Sequence, residues 1–221
     1  MIGMAQPKVQ PPPNPARHSH FPRLAFSGGG GPPTGNRLAR GSNAVLGMLV
    51  FLGSEVMLFA ALISAYLVLR AGAASWPPPG QPRLPLALTG VNTGVLLSSG
   101  VTMWAARRAA RVTQPVACRR WLAVTLGLGA LFLALQGSEW MRLISYGLRI
   151  SSGTYGGMFY AIIGTHALHV VVAVLALGIV LWRGRFGRFA AERQTDVEVC
   201  SLYWSFVVLM WPVLYLLVYV L

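Results

Sequence analysis

Five acids and four histidines are the side chains of this 221-residue chain best suited to acid–base or metal chemistry. The most suggestive of them stand inside apolar runs. Glu55 lies in "FLGSEVMLFA", and His166 and His169 lie in "GTHALHVVV". Two histidines three apart occupy neighbouring turns of one helical face. Such a pair could ligate a haem or a metal, and Glu55 could complete a carboxylate–histidine site. Two arguments weigh against this. A di-metal bundle needs several carboxylates and a Glu-x-x-His motif from each of two helices, and the chain has neither. Haem ligation by both histidines needs rings on opposite sides of one metal, which one helical face cannot supply. The residues therefore predict no catalytic, metal-binding or cofactor-binding residue held wholly by this chain.

Another explanation is then needed for an acid in the membrane. Glutamate at mid-bilayer costs a few kcal/mol even on lenient insertion scales, and such residues are partnered or functional. The expected partner for Glu55 is His166, through a hydrogen bond or a protonated acid that offsets much of the burial cost. Two further acids are expected in polar pairs or at helix ends. Glu139 in "QGSEWMR" is placed to pair with Arg142 at i, i+3 near the outer surface, and Glu198 in "DVEVCSLYWSF" sits at the inner edge, near the positive end of a helix dipole. With His169, these make up the predicted buried polar set. A proton wire is a weaker reading, because Glu55 has no acidic successor along its helix.

The elements that must position these residues follow from composition. The chain is 55% hydrophobic and 10% charged, against roughly 25% charged in soluble domains. Five apolar runs are each close to or above the ~20 residues that cross a hydrocarbon core: Ala44–Leu69, Leu86–Ala106, Trp121–Ile144, Tyr155–Trp182 and Val197–Leu221. None alternates strictly between polar and apolar, so the fold class is all-α, a polytopic transmembrane bundle of five helices. The net charge of +13 reflects topology and not nucleic-acid binding, because the basic residues lie between the runs. Fourteen of the eighteen, from Lys8 to Arg193, fall on one side, leaving Arg70, Arg83, Arg142 and Arg149 on the other. The positive-inside rule puts the N-terminus in the cytoplasm and the C-terminus outside.

Residues 1–42, with their Pro-rich start and "SGGGGPPTG", read as a disordered cytoplasmic tail rather than a cleaved signal peptide, leaving 43–221 as the membrane domain. His18 and His20 in that tail read as solvated. Cys118 and Cys200 read as two ordinary thiols with no zinc or redox-pair spacing. In the second run Gly90, Gly94 and Ser98 form a small-residue stripe at i, i+4 and i+8, and Gly153 and Gly157 repeat the spacing at the start of the fourth. Such stripes admit a close helix neighbour, either within the chain or from a partner subunit. Pro212 should kink the last helix. Arg107, Arg108 and Arg120 are candidate lipid-headgroup contacts at about 1 kcal/mol each, beside the interfacial indoles Trp104, Trp121, Trp182 and Trp204.

Several motifs in order resemble one family, subunit III of the haem–copper oxidases. "FLGSEVMLFAALISAY" is similar to the family's glutamate-bearing helix, with Glu55 as the embedded acid. "NTGVLLSSGVTMWAARRA" and "ALQGSEWMRL" continue the likeness. "GTYGGMFYAIIGTHALHVVVAV" matches a family helix through Tyr155, His166 and His169, and "EVCSLYWSFVVLMWPVLY" matches the last through Glu198, Tyr203, Trp204, Phe206 and Trp211. Ser205 and Val208 stand where the family pattern has histidine and aspartate, which leaves any headgroup or proton-related role of that pair open. The likeness covers about 175 residues and is to the short five-helix bacterial form; the first two helices of longer members have no counterpart.

The resemblance implies a multi-pass accessory subunit of the bacterial cytoplasmic membrane that does no chemistry itself. It implies direct packing on oxidase subunit I, with subunit II and other members of the complex also present. Haem and copper would lie in those partners, and bound phospholipid and support of proton uptake are further expectations. A quinol oxidase subunit III and the related accessory protein of nitric oxide reductase are alternatives within the family. An independent small transporter is the alternative from another class, although no inverted repeat or pair of broken segments favours it.

Overall fold

The computed structural model describes residues 34–79, 86–184 and 192–220, with side chains from 41 to 79, 86 to 184 and 194 to 220. The tail with His18 and His20, Arg83, and the arginines between the last two helices fall outside the described residues or side chains. Five α-helices run in order: α1 Thr34–Ala71, α2 Leu86–Arg111, α3 Pro115–Ser145, α4 Thr154–Gly184 and α5 Glu192–Tyr215, the last followed by a π-helical turn Leu216–Val220. All five are long and apolar enough to cross a membrane, and no strand occurs among the described residues. The molecule is a multi-pass helical membrane protein.

The observed helices extend past the apolar runs at most ends. α1 begins at Thr34, inside the segment read as tail, and α2 continues through Arg111. Apolar runs mark what hydrocarbon demands, whereas a helix continues into the headgroup layer until a cap or breaker stops it. α3 starts with Pro115 at its first position, where no N–H is needed. It ends in a Schellman-type turn: the Leu148 N–H donates to the Leu143 carbonyl at 3.0 Å, and Gly147 takes φ +93°. Leu148 then seals the turn, fully buried. Pro212 lies inside α5, which runs on to Tyr215 before widening into the π-helical turn.

α5 is the hub, packing against α1, α2 and α4, while α2 and α3 form the most extensive helix pair. Trp204 and Trp211, seven apart on one face of α5, are both fully buried. Each is pinned to α2 by its indole N–H, which donates to Ser99 Oγ at 3.1 Å and to Thr93 Oγ1 at 2.9 Å respectively. Trp204 is therefore a core residue and not one of the interfacial anchors. Trp104 and Trp182 are each 61% exposed and keep a position open to the membrane interface. The indole of Trp204 reaches Gly129 on α3, where any β-carbon would run into Trp204 Cη2. Cys118 and Cys200 are buried free thiols.

The small-residue stripes divide. Gly90 faces the Tyr215 hydroxyl, but nothing lies within 4 Å of where a Gly94 β-carbon would be, and Ser98 is exposed with its hydroxyl donating to the Gly94 carbonyl. Gly94 and Ser98 are thus left exposed on α2 among the described residues. Near the α4 start the close approach falls on Gly156, against the Arg149 carbonyl, rather than on Gly157.

Candidate functional site

Glu55 on α1 and His169 on α4 form the polar contact at the centre of the membrane segment. His169 Nε2 and Glu55 Oε2 are 2.7 Å apart, and the two side chains are 14% and 12% exposed for Glu55 and His169 respectively. The partner is therefore His169 and not His166. Spacing alone placed both histidines on one face, yet i and i+3 differ by about 60° around a helix. The rotation of α4 turns one toward α1 and the other inward.

The proton arrangement of this pair follows from its second contact. His169 Nδ1 lies 2.7 Å from the Thr165 carbonyl oxygen. A carbonyl only accepts, so Nδ1 carries its proton. One further proton then lies between Nε2 and the carboxyl: either a neutral acid donates to the imidazole, or imidazolium donates to carboxylate. The pair is electrically neutral overall in both forms, which lowers the cost of holding it at this depth. Phe59 packs 5.3 Å from the His169 ring, and Tyr203 and Phe51 close the same side.

His166 sits in a different setting. It is 1% exposed, its ring lies 5.0 Å from Trp211 and 6.4 Å from Phe132, and neither ring nitrogen has a hydrogen-bond partner among the described residues. It belongs to the aromatic core between α3, α4 and α5.

Glu139 also departs from expectation. No ion pair joins it to Arg142 among the described residues; Arg142 is exposed, whereas Glu139 is 1% exposed. Glu139 Oε1 instead accepts from the Thr89 hydroxyl at 2.8 Å. One turn along, Asn92 Nδ2 donates to Gln136 Oε1 at 3.2 Å and to the Phe132 carbonyl at 3.3 Å, and Gln136 Nε2 donates to the Tyr219 hydroxyl at 3.3 Å. Thr89–Asn92 on α2 and Gln136–Glu139 on α3 thus make a polar ladder that ties the two helices together. Sequence reasoning missed Thr89, Asn92, Gln136 and Tyr219. The available signal was two polar pairs, each at i, i+3, inside membrane-spanning runs.

At the opposite end of the bundle Glu198 accepts from Arg107 at 2.6 Å and from Arg111 at 3.3 Å, fastening α5 to α2. Arg107, a candidate headgroup contact, is taken up by this ion pair. Arg108 lies over the Trp104 ring at 5.7 Å, and Arg120 lines an open groove at the start of α3. Of the remaining motif residues, Tyr155 packs 5.1 Å from Trp76, and Phe206 packs 6.1 Å from Phe59. No group of three or more His, Cys, Asp or Glu side chains placed to hold a metal occurs among the described residues.

These features define a class: a polytopic helical membrane protein whose buried polar side chains join one helix to another. The comparisons with known proteins identify which. The family model for cytochrome c oxidase subunit III matches residues 36–221, so the chain belongs to that family, the accessory subunits of haem–copper oxidases. Similar proteins include "Cytochrome c oxidase subunit 3" of Synechocystis sp., 36% identical over 80% of this chain and 75% of that protein. The same subunit of Thermostichus vulcanus is 37% identical over 80% and 87%. A "Probable cytochrome c oxidase subunit 3" of Nocardia farcinica is 38% identical over 82% and 90%.

Proposed function

We propose that this chain is the accessory subunit III of a bacterial cytochrome c oxidase, seated directly on catalytic subunit I in the cytoplasmic membrane. Its N-terminus faces the cytoplasm and its C-terminus the outside, in keeping with the fourteen-to-four division of basic residues. Haem and copper reside in the partner subunits, which carry electrons from cytochrome c to oxygen. This chain supports the catalytic subunit as a rigid flank, stabilises its proton uptake and holds lipid against it.

The observation that carries the reading is the family match, which runs through all five helices. The bundle is consistent with a flanking role. Glu55, Glu139 and Glu198 each join one helix to another, while the Gly94–Ser98 stripe on α2 is left exposed, where a partner helix could approach closely.

The test is affinity purification of the tagged protein from its own membranes in mild detergent, with the visible spectrum recorded and the co-purifying chains identified. A-type haem bands together with a large multi-helix partner bearing a cytochrome c-type donor domain are expected. A colourless protein that leaves intact oxidase behind would refute the proposal.

A further inference from the structure

We infer that Glu139 is a proton-binding site at the junction of α2, α3 and the π-helical turn, its carboxyl a neutral acid in the bilayer at neutral pH. The inference needs only that the bundle spans a membrane, and not the oxidase assignment.

The surroundings supply no counter-charge. Glu139 is 1% exposed and lies within a membrane-spanning helix. The ion pairs among the described residues engage Glu55 and Glu198, and Arg142, three residues on, is exposed. The elements packed around the carboxyl present Thr89 and Asn92 from α2, Gln136 from α3 and Tyr219 from the π-helical turn. Tyr155 of α4 is near enough to interact electrostatically with Tyr219. All of these are uncharged at neutral pH. A carboxylate held there without a cation is far costlier than a neutral acid.

The hydrogen bonds fit the neutral form. Oε1 accepts from the Thr89 hydroxyl at 2.8 Å, while Oε2, also buried, has no partner among the described residues. Oε1 is then the carbonyl oxygen of the acid, and Oε2 carries the proton. An anion would place charge on that unpartnered oxygen, the arrangement that desolvation penalises most. Tyr219 offers the acid an acceptor. Its hydroxyl stands beside the carboxyl and receives one bond, from Gln136 Nε2 at 3.3 Å, which leaves a second lone pair for an O–H. Gln136 is fixed in that orientation because its Oε1 accepts from Asn92. The π-helical turn Leu216–Val220 carries Tyr219 inward, to 7% exposed. Turns of this kind are rare and gather at functional sites.

The experiment uses the full chain with the subunits that accompany it, returned to lipid bilayers and read by infrared difference spectroscopy at neutral pH. Wild type minus Glu139→Gln should show the carbonyl stretch of a neutral carboxylic acid, unchanged when sodium in the buffer is replaced by choline. Tyr219→Phe should shift that band without removing it. A carboxylate stretch in place of the acid band would overturn the inference. So would an acid band that appears only when sodium is withdrawn, since the site would then hold a cation and not a proton. Should Glu139→Gln fail to assemble, wild type minus Tyr219→Phe carries the same test. A shifted acid band there supports the inference, and a shifted carboxylate band or no shift at all overturns it.

Discussion

Gly129 is the position at which a single methyl group should damage the bundle most. A β-carbon there meets Trp204 Cη2 head-on, with Trp204 Cζ2 and Val174 Cγ2 both at 3.1 Å. The indole would have to retreat on the order of 1 Å to restore ordinary van der Waals contact. It has nowhere to go: Trp204 is fully buried, and its N–H is held by Ser99 on α2. Overpacking of this kind costs about 1–3 kcal/mol. At roughly 2–4 °C per kcal/mol for a chain of this size, Gly129→Ala should lower the thermal midpoint of the detergent-extracted protein by several degrees. Gly127→Ala is the matched control on the same helix, with nothing within 4 Å of its new methyl group. It should leave the midpoint unchanged or raise it, since alanine is the better helix former by up to ~1 kcal/mol. Trp204→Phe removes the atoms that collide, so the double variant Gly129→Ala/Trp204→Phe should lose less than the sum of its parts. A midpoint for Gly129→Ala equal to that of Gly127→Ala would refute the account of a locked α3–α5 contact.

Glu55→Gln should preserve the contact with His169, because a carboxamide N–H can donate to Nε2, while Glu55→Leu strands that nitrogen at a cost of up to ~1.7 kcal/mol. Oxidase yield and thermal midpoint check this, and equal losses in both variants would count against a hydrogen-bonded anchor. Glu198→Gln frees Arg107 and Arg111 at a half-exposed site, so the loss should stay within about 1 kcal/mol and shrink as salt is raised. Gly94→Leu should leave the chain's own helix packing intact, since position 94 is exposed and nothing lies within 4 Å of a β-carbon there, yet reduce recovery of the partner subunits on purification. Unchanged recovery would remove the α2 stripe from the interface.

The five spans and their order could be read directly from the sequence, because hydrocarbon sets a length and an apolarity that leave a continuous signature in the chain. The need for a polar partner at Glu55 was equally legible, since an isolated acid in a bilayer is expensive wherever it sits. Helix ends were less so: Thr34 and Arg111 lie beyond the apolar runs, where apolarity no longer marks the helix. The choice between His166 and His169 could not be made from spacing. It depends on the rotation of α4, which is set by Trp211, Phe132 and Phe59 packing around it.

The same division holds for the remaining polar residues. Glu139 and Glu198 were visible as acids in or beside the membrane, and a partner within the same helix was the economical reading for Glu139. The tertiary structure instead joins them across helices, Glu139 to Thr89 and Glu198 to Arg107 and Arg111. Local spacing states which residues share a helical face; only the docking of α2 against α3 and α5 states what that face meets. Composition and periodicity thus determined a five-span membrane protein with costly polar residues inside it. Close packing decided how those residues are satisfied, because the contacts that satisfy them join residues 50 and 91 positions apart.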